Sequence, residues 1–181
     1  GPNPDTQFHF VFGNHDFNQR FMHAVAEYSE QTANFRAHRF YLRLGRSLFL
    51  HGDIADRPHL CHDKLEQRRA RFLRDHHQSR WRHTLYDLAM KAHLHRVVSR
   101  LANPRKRVAQ RLLAYLNRIG HSPATGIEHV YFGHTHEPLT NFQYGGISFH
   151  NPGAPLKGVN FRIVEAEVNG DDEVDSSEGP L

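Results

Sequence analysis

Three short apolar runs in this 181-residue chain each close on a glycine flanked by side chains that bind metals or protons. They lie in "FHFVFGNHDF" (8–17), "SLFLHGD" (47–53) and "HVYFGHTH" (129–136). Asn, His and Asp seldom serve packing, so strands that stop on them point to another use. Loops at strand ends can aim several side chains into one cleft, and a fold that suits all three runs must bring those ends together. Asn14, His51, His134 and His136 are then neutral nitrogen or oxygen donors from three loops. Imidazole suits zinc, manganese, iron and similar ions. The competing reading is chance, because a chain with 17 histidines places some of them beside glycine on the surface. Chance accounts for any one example but poorly for three at three strand ends.

The rest of the chain organises around these runs. Residues 8–12 read as a buried strand, and 17–31 place Phe17, Phe21, Val25 and Tyr28 at helical spacing. "RFYLRLGRSLFLHG" reads as a hairpin turning at Gly45-Arg46. Residues 62–119 read as helical throughout. One apolar stripe there is Trp81, Leu85, Leu88 and Ala92. Another is Val108, Leu112, Leu116 and Ile119, with Asn103 as cap, Pro104 as first helical residue and Gly120 as stop. Strands return with "HVYFGH", "GISFHN" and "NFRIVEAEV". This order predicts an α/β sandwich with a helical insertion.

Charge and cysteine content narrow the setting. Of the 23 Lys and Arg, 16 fall between Arg57 and Arg118, against four acids there. The tail from residue 169 is acidic, lacks aromatics and is expected to be disordered. A single cysteine, Cys61, excludes an internal disulfide framework and suits a reducing, cytoplasmic compartment. No apolar run approaches the roughly 20 residues of a membrane span, so no transmembrane segment is expected. The start has neither an initiator Met nor a signal-peptide pattern, and the expectation is a chain that begins partway through a longer protein.

"GNHD", "LHGD" and "FGHTH", in this order and each after a strand, resemble the third, fourth and fifth signature motifs of the calcineurin-like metallophosphoesterases. "NPGAP" (151–155) is similar to the Asn-Pro-Gly segment that follows the last motif in bacterial members. The resemblance spans residues 8 to 168 apart from the helical block. It implies a four-layer α/β/β/α sandwich, here incomplete at the N-terminus, and a hydrolase that cleaves a phosphomonoester, phosphodiester or pyrophosphate bond. It also implies two divalent metal ions (Mn, Fe or Zn). Asn14, His51 and His134 would bind one metal and His136 the other. His15 would contact the phosphate and protonate the leaving oxygen, with Asp16 orienting its ring. Two cations would polarise the phosphoryl oxygens and yield hydroxide at neutral pH.

The family's first two motifs, Asp-x-His and Gly-Asp-x-x-Asp, are absent before Gly13. They supply the carboxylate ligands, so weak, single metal occupancy and little catalysis are expected of these residues alone. "GDIADR" (52–57) also fits the second motif, with Asp53 as a bridging ligand. Its place after "GNHD", and His51 before Gly52, favour the fourth.

The helical block at 59–120 resembles in placement and composition the insertion of the UDP-2,3-diacylglucosamine pyrophosphatase branch. That implies a lid over a phosphate-containing substrate such as a nucleotide or lipid-linked diphosphate, with peripheral contact to an anionic membrane. For most of its arginines a solvated face is the plainer reading. "PRKR" (104–107) sets cations at a helix start, where the dipole disfavours them, and so suggests contact with an anion. The alternative function is a noncatalytic protein that binds nucleic acid or anionic lipid through these helices.

Overall fold

The computed structural model describes residues 6–58, 61–78, 104–155, 160–166 and 174–176. The architecture is mixed α/β. Strand β1 (Phe8–Val11), helix α1 (Gln19–Gln31) and strand β2 (Phe35–His38) form a first unit. There β1 and β2 pair in parallel, from Phe8 with Phe35 to Val11 with His38. Asn18 caps α1 by accepting the N–H groups of Arg20 and Phe21. The apolar stripe of α1 is only partly covered. Phe21 and Tyr28 stay 43% and 54% exposed, with edge-on contacts to Phe10 and Phe35.

The second unit is a six-stranded mixed sheet. Strands β3 (Tyr41–Leu44) and β4 (Ser47–Leu50) form the expected hairpin around Gly45-Arg46. Strand β5 (His129–Phe132) follows the helical block, and β6 (Leu139–Tyr144) and β7 (Ile147–Asn151) form a second hairpin. With β8 (Val174–Ser176) the order is β6-β7-β5-β4-β3-β8. The central strands β4, β5 and β7 run parallel. Parallel neighbours need crossover connections, and in such sheets the carboxyl ends of the strands gather on one edge. Here His51, Gly133 and Asn151 stand at that edge.

The core lies on one face of this sheet. Leu48 and Leu50 of β4, Val130 and Phe132 of β5, and Ile147 and Phe149 of β7 pack against helices α2 (His62–Gln78) and α3 (Arg105–Arg118). The α3 stripe is as expected, with Val108, Ala109, Leu112, Tyr115 and Leu116 buried. The helix ends through two backbone bonds, His121 N to Leu116 O at 2.9 Å and Gly120 N to Asn117 O at 3.4 Å, the closing pattern that a glycine after the last turn permits. The helical block is therefore no detachable cover at its described ends, because an apolar stripe and an apolar sheet face each needed the other. The stripe from Trp81 to Ala92 lies outside the described residues, as does Asn103.

Five details differ from expectation. Pro104 caps α3 and does not open its first turn, a one-residue shift typical of helix boundaries. Strand β2 was not anticipated. Neither was β6, whose Thr140, Asn141 and Gln143 and a bulge between Leu139 and Phe142 hide its alternation. Residues 160–166 form no strand beyond an isolated bridge between Gly153 and Phe161, and Ile163 is 81% exposed. The outer side of β3 is instead paired by Val174–Ser176. Those three residues belong to the tail expected to be disordered. Among the described residues, no helix is long and apolar enough to cross a membrane.

Candidate functional site

The three glycine-flanked loops meet. His51 follows β4 and His134 follows β5, so parallel pairing sets them side by side. The Gly133 N–H donates to the His51 carbonyl at 2.9 Å, and the two imidazoles meet edge to face with centroids 5.2 Å apart. The β1 loop closes on the same point. A Cβ at Gly13 would stand 2.5 Å from His51 Nδ1, so only glycine lets the ring lie against that backbone. The adjacent Asn14 is buried and accepts a hydrogen bond from His51 Nε2 at 2.9 Å.

His15 is exposed beside this cluster, with its ring edge-on to Phe72 of α2 at 4.8 Å. Asp16 accepts the Gly13 N–H at 2.9 Å, so it fixes the turn that carries His15. His136 is exposed on the His134 turn. Both histidines take left-handed backbone, with φ of 59° and 56°, which non-glycine residues seldom adopt.

The carboxylates of the second loop are held by the helical block. Asp53, 3% exposed, accepts both Nε and Nη2 of Arg69 at 2.8 and 2.9 Å. Arg69 is itself 1% exposed and donates to the Arg39 carbonyl. Burial works to raise the Asp53 carboxyl, but the hydrogen bonds and charge of Arg69 outweigh it and hold it below the ordinary value. Asp56 accepts from His134 Nε2 at 2.8 Å and from Arg68 at 2.7 Å. Burial opposes its ionisation too, and the hydrogen bond and charge of His134 with the charge of Arg68 prevail. Arg111 of α3 donates to the carbonyls of Ala55 and Asp56. Three arginines thus clamp the turn at 53–56. Arg105, first of the "PRKR" basics, finds its anion inside the chain, donating to Glu137 at 3.1 Å.

These contacts decide what the donors suit. Adjacent ligands about 2.1 Å from one octahedral cation stand about 3 Å apart, close to the 2.9 Å hydrogen-bond distance between Asn14 Oδ1 and His51 Nε2. His51 is also held neutral, as a ligand must be. Burial first, then the charges of His134 and Arg69, lower its pKa from 6.5 to about 4, against the raising effect of Asp53 and Asp16. Such donors would suit a single ion, with His134 offering its other ring nitrogen because Nε2 bonds Asp56. A dinuclear centre needs carboxylates, and both oxygens of Asp53 are engaged by Arg69. Among the described residues, no three His, Cys, Asp or Glu side chains form a ligand group.

The buried neutral His51 makes acid destabilising. Between pH 6.5 and about 4 the unfolded chain binds a proton that the folded chain does not. Stability on this account is full above pH 6.5 and falls as pH drops to about 4, by about 3 kcal/mol at roughly 1.4 kcal/mol per unit of pKa shift. His9, His62 and His150 are lowered by burial as well and add with the same sign. Denaturant unfolding across this range, with a chelator present, should show the loss, and His51→Gln should flatten it.

Arg68, Arg69 and Arg111 carried no local signal for their partners; the pairings Arg69 with Asp53 and Arg111 with Ala55 and Asp56 exist only once the helices dock. Asn151 stood in the motif "NPGAP" without an assigned role. No protein-family model, curated protein or solved structure matches this chain.

Proposed function

We propose that the chain carries part of a divalent-metal site that hydrolyses a phosphate ester or pyrophosphate bond. One observation supports this most: the Asn14, His51 and His134 side chains, from three separate loops, cluster at the carboxyl ends of β1, β4 and β5, with Asn14 bonded to His51 at 2.9 Å. Asn14, His51 and His134 would hold one cation, with His136 beside it. A bound cation there would polarise phosphoryl oxygens and provide hydroxide at neutral pH. Exposed His15 would protonate the leaving oxygen, and Asp16 would keep its turn in place. A second cation would need carboxylate ligands like those of the first two family motifs, which do not stand before Gly13 in this sequence.

The four-layer sandwich belongs to the same reading. Helices cover one face of the six-stranded sheet, and the other face carries Phe49, Tyr131 and His150 in a stacked row at 4.8 and 4.7 Å, which suits a second sheet. The setting would be cytoplasmic, with a nucleotide or lipid-linked diphosphate as the kind of substrate and peripheral contact with an anionic membrane. The noncatalytic reading draws on the same basic helices, but Arg68, Arg69, Arg105 and Arg111 all bond groups of this chain.

The test is hydrolysis of aryl phosphate mono- and diesters with added Mn. Slow, metal-dependent turnover is expected. His15→Ala should cut kcat by roughly 10²–10⁴-fold, and less for good leaving groups, with metal binding retained. Metal binding without any metal-dependent turnover would favour the noncatalytic reading instead.

A further inference from the structure

We propose that Asn151 is the positioning residue for the turn that carries His134 and His136. This rests on the reading of that turn as part of a metal site. Asn151 ends β7, which runs parallel to β5, so topology sets it beside Gly133. It is fully buried, and its amide is used in every direction. Nδ2 donates to the Gly133 carbonyl at 2.7 Å and to Thr135 Oγ1 at 3.0 Å, while Oδ1 accepts the Gly153 N–H at 2.8 Å. The amide orientation is not arbitrary: a carbonyl can only accept and a backbone N–H can only donate.

Two of these three partners, Gly133 and Thr135, flank His134. His134 and His136 hold left-handed backbone with φ of 59° and 56°. Such conformations persist in non-glycine residues where the surroundings over-determine them, and they gather at functional sites. The Gly133 carbonyl accepts from Thr135 N at 2.7 Å as well as from Asn151, so the side chain closes a tight loop around His134. The other end of the clamp is equally specific. A Cβ at Gly153 would stand 2.0 Å from the Asn160 carbonyl oxygen, and φ there is 84°. The Arg162 N–H donates to the Pro152 carbonyl at 3.0 Å. The Asn-Pro-Gly segment therefore ties the histidine turn to the chain at 160–162.

Asn151→Asp tests this with little change of shape. The acceptor for Gly153 N–H remains, and the two donors become an oxygen facing the Gly133 carbonyl. Zinc affinity, measured by calorimetry, should fall roughly 10–100-fold, the usual effect of losing an outer hydrogen bond to a ligand. The imidazole ¹⁵N shifts of His134 and His136 should move while those of His129 and His150 stay, a contrast that general loosening would not produce. If Asn151→Asp does not fold, Thr135→Val, which removes a single acceptor, should show the same pattern at smaller size. A folded variant with unchanged shifts for His134 and His136 overturns the proposal. Should the unsubstituted chain bind no zinc, the metal reading fails on its own, and the ring shifts still decide the role of Asn151.

Discussion

Arg69→Met is expected to destabilise the chain by about 3–5 kcal/mol, the cost of leaving a buried charge without its partner. The replacement strands Asp53, 3% exposed, with neither of its two guanidinium bonds. It also removes the cation lying 5.8 Å from the ring centres of Phe17 and Phe40. Denaturant midpoints report the loss. A second substitution separates the cause from simple loss of packing. Adding Asp53→Leu to Arg69→Met replaces the ion pair with apolar groups, and should recover much of the stability because no lone charge remains. A double variant as unstable as the single one would show that shape, and not the unpaired carboxylate, sets the penalty.

Leu112→Ala and Leu116→Ala should each cost about 2–5 kcal/mol, since both side chains are fully buried and truncation leaves a cavity. Replacing residues 62–119 by a short linker should go further and unfold the six-stranded sheet. It strips Val108, Leu112, Tyr115 and Leu116 from the core, each at most 4% exposed. At roughly 1.5–3 kcal/mol per large apolar side chain, that loss rivals the whole stability of about 5–15 kcal/mol of an ordinary domain. Circular dichroism and near-ultraviolet spectra of the shortened chain check this. A folded, cooperative product would restore the view of the entire block as a lid.

The candidate cluster is legible where local pattern and chemistry coincide. Gly13, Asn14, His51 and His134 announce themselves because each apolar strand breaks on them, and parallel strand ends then bring the loops together. The hairpin at Gly45-Arg46 and the α3 stripe follow from period and turn chemistry, which are properties of short windows. What stayed hidden depends on distance. Arg69 meets Asp53 and Arg68 meets Asp56 only after α2 docks, so sixteen arginines and lysines looked alike in one basic stretch. Strand β2 has four residues and one charged position, Arg36, and it is a strand because β1 offers a parallel edge. The run at 160–166 shows the converse, a strand-like pattern that makes only the isolated bridge between Phe161 and Gly153.

Asn14, His51 and His134 would form one metal-binding cluster drawn from three loops. Zinc titration of the unsubstituted chain against Asn14→Ala, His51→Ala, His134→Ala and His23→Ala measures it most directly. His23 is the control, 77% exposed on α1 and away from the cluster. The expected result is weak binding of one ion, at least roughly tenfold weaker affinity in each of the three cluster variants, and no change in His23→Ala. Equal loss in all four, or full binding with His51 and His134 removed, would contradict it.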